Sequence, residues 1–253
     1  MKKANLPFLT SLVFFLLVWF LSKQSGLVND LFLPSLGQLM AAFVNLFGTL
    51  NFSEDIFISI FRVFSAFLLS ALLAVPIALV MFKYKVVGQV LSPYIDFIRY
   101  LPVPALIPLT ILFFGIDETA KIVLLFIGTF FQLILLIIDD LNGIPKEHFF
   151  LTFSLKLNGF QELWFLFKKI LPQIYDNSRI TLGWCWTYVI IAELVASSSG
   201  IGHMIKEAQR FSNTPNVYAG IITMGIIGFG TDYLFKKLYP RIFKYKVTVR
   251  LKA

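Results

Sequence analysis

Residues 139–172 read DDLNGIPKEHFFLTFSLKLNGFQELWFLFKKILP, and the way this stretch folds decides how the rest of the chain is arranged. It lies between two long apolar runs, yet apolar residues recur in it at helical spacing: Phe149, Phe153 and Leu157, then Leu163, Leu166, Phe167 and Ile170. The pattern predicts two short amphipathic helices meeting at Asn158-Gly159. Gly159 is expected to end the first in the left-handed conformation, which costs glycine nothing sterically. Leu171-Pro172 is expected to stop the second, because proline disfavours helix in the residue before it. Such a hairpin, with Lys156, Lys168 and Lys169 on its polar side, carries an apolar face that calls for a docking partner.

Composition places the hairpin beside a membrane. Of 253 residues, 58% are hydrophobic and 14% charged, and the mean hydropathy is +0.80, whereas a soluble domain averages roughly 25% charged residues. The chain reads as an all-α, polytopic membrane protein with the lipid bilayer as its solvent. A net charge of +8 would suggest nucleic acid as partner in a soluble protein; here the positive-inside rule accounts for it. The single cysteine, Cys185, sits in an apolar run, so neither an intrachain disulfide nor a cysteine metal cluster is available.

Working outward from the hairpin, residues 122–138 form the span that leads into it and residues 180–196 the span that leaves it, each near the roughly 20 residues a bilayer needs. Upstream, an apolar run at residues 6–21 follows Met1-Lys2-Lys3; with no A-x-A site after it, it reads as an uncleaved first span. Pro34 and Ser35 then signal a helix start, with Leu36, Leu39, Met40, Phe43, Leu46 and Phe47 on one face of an interfacial helix. Residues 56–82 make the second span, ending at Lys83-Tyr84-Lys85. The third apolar segment, residues 86–115, contains Pro102, Pro104 and Pro108, which preclude a straight helix; freed carbonyls at membrane depth are tolerated only against protein or water, so this segment should line the interior. Beyond residue 196 an amphipathic piece, HMIKEAQRF, belongs at the outer rim, and residues 217–235 return as the sixth span before a basic tail. The chain thus divides into a first span plus interfacial helix (residues 1–55), a core of five spans (56–243) holding the hairpin at about 146–172, and a cytoplasmic tail (244–253).

Six spans put both termini and the hairpin on one side. Fifteen lysines and arginines fall on that side, against Lys23, Lys121, Lys206 and Arg210 on the other, with Arg62, Arg99 and Arg179 in or near the spans. The asymmetry makes the hairpin side cytoplasmic.

The chain offers little for catalysis. It has no G-x-x-x-x-G-K-[ST] phosphate loop. It has no H-E-x-x-H, and His148 and His203 fall on opposite sides of the membrane, so no metal site is expected. Glu193 and Asp232 are too isolated for an acid and base pair. A conduit remains, with no catalytic residue and no cofactor. A self-contained secondary transporter would show two related halves, and no internal repeat is evident.

The hairpin resembles the cytoplasmic loop of permease subunits of ATP-binding-cassette importers, whose pattern is E-A-A, three residues, glycine, nine residues, isoleucine, one residue, leucine-proline. Gly159, Leu171 and Pro172 stand at the required spacings; the E-A-A slots hold Phe153, Ser154 and Leu155, and the isoleucine slot holds Lys169. The stretches IRYLPVPALIPLTILFFGIDETAKIVLLFIGTFFQ, WTYVIIAELVASSSGIGHMIKEAQRF and GIITMGIIGFGTDYLF are similar to the nitrate, sulfonate and taurine branch of these permeases, and together the matching segments cover about residues 55–243. The resemblance implies a type I importer permease of MetI-like architecture in a bacterial inner membrane. Its implied partners are a second permease subunit, two cytoplasmic ATPase subunits and an extracytoplasmic solute-binding protein. It also implies that Phe149, Phe153, Leu157, Gly159, Leu163, Phe167, Leu171 and Pro172 couple the spans to the ATPase, with a small anion as solute. Other branch members handle cyanate, bicarbonate or heterocyclic vitamin precursors.

Four polar residues in the spans are candidates for the translocation path, each with a structural alternative. A charge at the centre of a lone helix costs roughly 2.5 to 3.5 kcal/mol on insertion scales, so Arg99 must face water or a partner: an anion, or Asp96 three residues earlier. Arg62 poses the same question. Gln132 contacts solute or bonds a neighbouring helix, and Glu193 contacts a gate or caps a helix.

Overall fold

The computed structural model describes residues 5–26, 28–29 and 31–245. Lys2, Lys3 and most of the basic tail, residues 246–253, lie outside them. Among the described residues the chain is helical with no strand: α1 (Asn5–Gln24), α2 (Leu36–Gly48), α3 (Phe52–Lys83), α4 (Lys85–Arg99), a 3₁₀ turn (Val103–Leu106), α5 (Ile107–Phe114), α6 (Glu118–Asn142), α7 (Lys146–Ser154), α8 (Gly159–Ala196), α9 (Ile201–Arg210) and α10 (Thr214–Ile242).

The spine is α3, α6 and α8, with α6 packed most extensively against the other two. Between helices in lipid there is no hydrophobic drive, so close packing needs small residues. Ala66, Ser70, Ala74 and Ala78 supply them on one line of α3, all fully buried. Across that line the Ser70 and Thr129 hydroxyls lie 2.8 Å apart in a hydrogen bond. On α6, Gly128 has no room for a side chain: a Cβ there would sit 2.8 Å from the Tyr188 ring and 3.0 Å from Val103. The apolar core falls into two clusters, one around Leu125, Cys185, Val189 and Ile201, the other around Ala78, Ile134, Leu141 and Ile170.

Among the described residues, four helices are long and apolar enough to cross a membrane, α1, α3, α6 and α10, and the pair α4 with the segment Val103–Phe114 makes a fifth if counted as one span. That pair is bent by 96°, the break expected of the prolines. The remaining expected span is the second half of α8, which at 38 residues is long enough to cross and to extend well beyond. α1 packs loosely, held by the Trp19 indole N–H donating to Pro34 O at 2.9 Å and by an edge contact of Trp19 on Tyr218. α2 begins with a capping box between Ser35 and Gln38. It buries Leu39, Ala42 and Leu46, but Met40 and Phe47 point outward, so its apolar face is narrower than expected. α9 buries Ile201, Gly202, Ile205 and Ala208, packing on α8 and α10.

Two expectations for the hairpin are corrected. The left-handed residue that ends α7 is Lys156, at φ 49°, not Gly159. Lys156 N donates to Phe153 O at 3.0 Å and Leu157 N to Thr152 O at 3.2 Å, the paired bonds of a Schellman ending. Asn158 is then free to cap the next helix, its side chain accepting from Gln161 N and the Gln161 side chain from Asn158 N, so Gly159 is the first residue of α8. Nor does Leu171-Pro172 stop that helix. Pro172 lies inside α8, where it removes one backbone donor at a typical cost of ~3 kcal/mol; Leu166, Ile170 and Ile174, buried on both sides of it, hold the helix continuous, at about 1.5 to 3 kcal/mol for each such side chain.

Candidate functional site

Three places gather the candidate residues. The first is a buried ionic cluster at the end of the spine where α3 and α6 begin and α8 finishes. Arg62 on α3 is completely buried. Its Nε and Nη2 fork onto Glu118 at 2.5 and 2.6 Å. Its Nη1 donates to Glu193 Oε1 at 2.7 Å and to Ser199 O at 2.8 Å, and Nη2 also to Ser199 Oγ at 3.0 Å. A guanidinium has five N–H donors, and these bonds engage all of them. Glu193, equally buried, accepts further from Ser59 Oγ and from Gly202 N, both at 2.7 Å. Ser59 Oγ accepts from Ile201 N at 3.0 Å, and Asp55 Oδ1 accepts from Gly200 N at 2.5 Å. Lys121 donates to Glu118 at 3.0 Å. The first amides of α9, which no helix can satisfy for itself, are thereby bound by side chains of α3 and α8. Arg62 and Glu193 are thus joined in one buried network in which each guanidinium donor has an acceptor within the chain.

The second place is a cavity of about 350 Å³ inside the proline-broken segment, lined by Arg99, Tyr100, Pro102 and Pro104, by Gly128, Phe131 and Gln132 of α6, and by Tyr188 of α8. Arg99 pairs with Asp96 at 3.3 Å, lies over the Tyr100 ring at 4.7 Å and donates from Nη2 to its hydroxyl at 3.1 Å. The pair with Asp96 was one of the two alternatives for this arginine, yet it leaves the side chain on the cavity wall. So the structure brings together Arg99 and Gln132, and separately Arg62 and Glu193; the four do not form one site.

The third place is the hairpin. Phe149, Leu163 and Phe167 pack against the spine, Leu157 and Leu171 are half-buried and Pro172 is buried within α8. Phe153 faces outward at 83% exposure, with Phe150, Leu155 and Phe160 also exposed. Lys83, at the end of α3, donates to Gly159 O at 2.7 Å and to Glu162 Oε2 at 2.8 Å. A Cβ on Gly159 would lie 3.0 Å from Lys83 Nζ, so what a side chain there would meet is the movable end of a lysine.

A family of proteins described as the binding-protein-dependent transport system inner membrane component matches residues 66–244. The chain belongs to that family. Over 90% of its length it is 31% identical to the putative aliphatic sulfonates transport permease protein SsuC of Bacillus subtilis, 83% of which is covered. It is 29% identical over 92% of its length to the taurine transport system permease protein TauC of Escherichia coli, 86% of which is covered. A chain of the MetNI methionine ABC transporter, solved in inward-facing conformations, aligns at a TM-score of 0.66 with 15% identity, covering 75% of this chain and 95% of that one. The architecture is therefore that of a type I importer permease, and the protein is a permease subunit of an ABC importer.

Within this permease, sequence reading found Arg62 and Glu193 as unusual charges but not their partners. Glu118 and Lys121 at the head of α6, and the serines at 197–199 before Gly200, were the available signals, since a polar cluster at the tip of a span often answers a charge inside another. The exposed Phe150 and Phe160 and the Lys83 contact with α8 were also missed. Phe150 and Phe160 stand outside the apolar periodicity, but Phe153, inside it, is turned outward as well, so periodicity alone does not separate the exposed set.

Proposed function

We propose that this permease moves a small oxyanion of the sulfonate, taurine or nitrate class, and that the cavity bordered by Arg99 and Gln132 receives it. The observation that carries this reading is Arg99, the one cationic residue on the wall of a chamber otherwise lined by aliphatic and aromatic side chains, prolines, a glycine and one amide. A solute anion there meets a positive charge held by Asp96 and Tyr100 in a setting of reduced dielectric, where attraction is stronger than in water. The names of the sulfonate and taurine relatives support the same class.

The drive comes from two separate ATPase subunits that dock on the hairpin, while an extracytoplasmic binding protein delivers solute and a second copy of the permease completes the route. Both termini and the hairpin face the cytoplasm. The exposed set of Phe150, Phe153, Leu155 and Phe160 supplies the apolar docking face, and closure of the ATPase pair tilts α8 and, through Lys83, α3 as rigid bodies. No residue of this chain hydrolyses ATP.

Uptake measured in proteoliposomes with the ATPase and binding-protein partners tests the reading. Taurine, ethanesulfonate and nitrate are offered beside neutral methionine, and Arg99→Gln is expected to lower uptake of the accepted anion about ten-fold, about 1.4 kcal/mol, at unchanged protein level. Equal transport of methionine by the unaltered permease, or undiminished anion uptake by the variant, sinks the assignment of solute and site.

A further inference from the structure

Two cavities lie against the same two helix faces. One is the chamber at Arg99 and Gln132. The other, about 530 Å³, opens beside the turn from α3 to α4 and is bordered by Lys85, Gln89 and Ser92 of α4 and by Ile138 and Asn142 of α6. On α4, positions 85, 89, 92, 96 and 99 follow one another at intervals of four and three, a single line along a helix with 3.6 residues per turn. On α6, Phe131 of the first cavity and Ile138 and Asn142 of the second share one side by the same rule, at intervals of seven and four. The line from Arg99 to Lys85 is about 21 Å long at a rise of 1.5 Å per residue. Gly88 lets α4 fold back tightly on α3, since a Cβ there would meet Met81 O at 2.8 Å. Between the two cavities Ile95, 4% exposed, belongs to the same apolar cluster as Ile134 and Ile137.

The chemistry of the line is one-sided. Lysine and arginine stand at its two ends, its only carboxylate, Asp96, is paired with Arg99, and Gln89, Ser92, Gln132 and Asn142 offer amide and hydroxyl donors between them. Elsewhere on α4 the exposed side chains Val86, Val90, Tyr94 and Phe97 are apolar or aromatic, so the polar stripe is not the solvated face of a surface helix.

We propose that the groove between α4 and α6 is the half of the solute route that runs from the Arg99 chamber to the hairpin end, with Lys85, Gln89, Ser92 and Asn142 as its lining and Ile95 as its constriction. A small oxyanion passes from one cation to the other along neutral donors. The route stands on geometry; the charge of its cargo rests on the solute class proposed above.

Thiol labelling separates the two. Gln89→Cys and Val90→Cys are made in the full permease, assembled with its ATPase and binding-protein partners in vesicles. Cys185, the only native thiol, is fully buried and gives a low background. Each variant is treated with a sulfonate-bearing methanethiosulfonate and with its trimethylammonium counterpart, and labelled permease is counted by mass spectrometry. Gln89→Cys is expected to react with the sulfonate reagent at least about ten-fold faster than Val90→Cys, and its preference for sulfonate over ammonium to fall about ten-fold when Lys85→Gln is added, the low end of what a focused charge does to a rate. Equal rates at the two positions with both reagents overturn the route. Fast labelling at position 89 that favours the ammonium reagent leaves the route standing and overturns the anionic cargo.

Discussion

Where α3 and α6 begin and α8 finishes, Arg62, Glu118 and Glu193 are joined by short charge-assisted hydrogen bonds, with Arg62 and Glu193 fully buried and Glu118 partly exposed. Where α3 and α6 finish and α8 begins, the contacts include Phe82 against Phe149 at 6.1 Å, aliphatic packing, a hydrogen bond from Asn177 Nδ2 to Asp140 Oδ2 at 2.7 Å and a partly exposed bridge from Lys83 to Glu162. Every donor of Arg62 has a fixed acceptor, so that end has one arrangement and a steep penalty for leaving it. Apolar side chains at the other end have no directional requirement and can slide against one another at small cost. The ionic end is thus held by directional bonds and the hairpin end chiefly by apolar packing, the division that the proposed coupling through the hairpin calls for.

The comparison breaks most directly at Arg62. Arg62→Leu strands two carboxylates, one of them fully buried, and removal of one partner of a buried pair typically costs about 3–5 kcal/mol, the upper range of a single large-to-small core truncation. A thermal melt of the detergent-solubilised permease should show the largest drop of any variant here; a melt within a degree or two of the parent would mean the network contributes little. Gly202→Ala comes next. Its Cβ would approach Glu193 Cβ to 2.6 Å and Ile190 O to 2.8 Å, and forcing an extra methyl into a packed site costs typically 1–3 kcal/mol. Intermediate loss of thermal stability is expected, and none at all would show that α9 can shift freely.

At the hairpin the expected effects on stability are smaller and the functional ones larger. Lys83→Met removes a partly exposed bridge worth roughly 0–1 kcal/mol, so the melt should barely move, while more ATP is consumed per solute imported because α3 no longer follows α8. An unchanged ratio of ATP to solute would show that α3 takes its motion through packing alone. Phe153→Ala is expected to leave stability within about 0.5 kcal/mol, as a surface change away from the core does, and to weaken co-purification of the ATPase. If the ATPase stays bound, the docking face lies elsewhere on the hairpin.

Much of this was legible from local pattern. The apolar runs of bilayer length, the bend that Pro102, Pro104 and Pro108 impose, and an amphipathic hairpin after residue 142 all follow from residues within a turn or two of each other. The candidate site was legible only in part. Arg99 and Asp96 are three positions apart and their pairing was foreseeable, whereas Arg62 meets partners 56 and 131 positions away, and nothing near it in the chain names them.

The hairpin shows the same boundary at finer scale. Sequence alone determined that two helices meet there, because apolar periodicity and the break at Asn158-Gly159 are local properties. Only the tertiary structure decided that Lys156 takes the turn, that Gly159 opens a helix and its carbonyl accepts from Lys83, and that α8 runs on through Pro172. Local propensities there amount to a few kcal/mol at most, and the burial of Leu166, Ile170 and Ile174 against neighbouring helices is of the same size or larger, so long-range packing settles what the local signals leave nearly balanced.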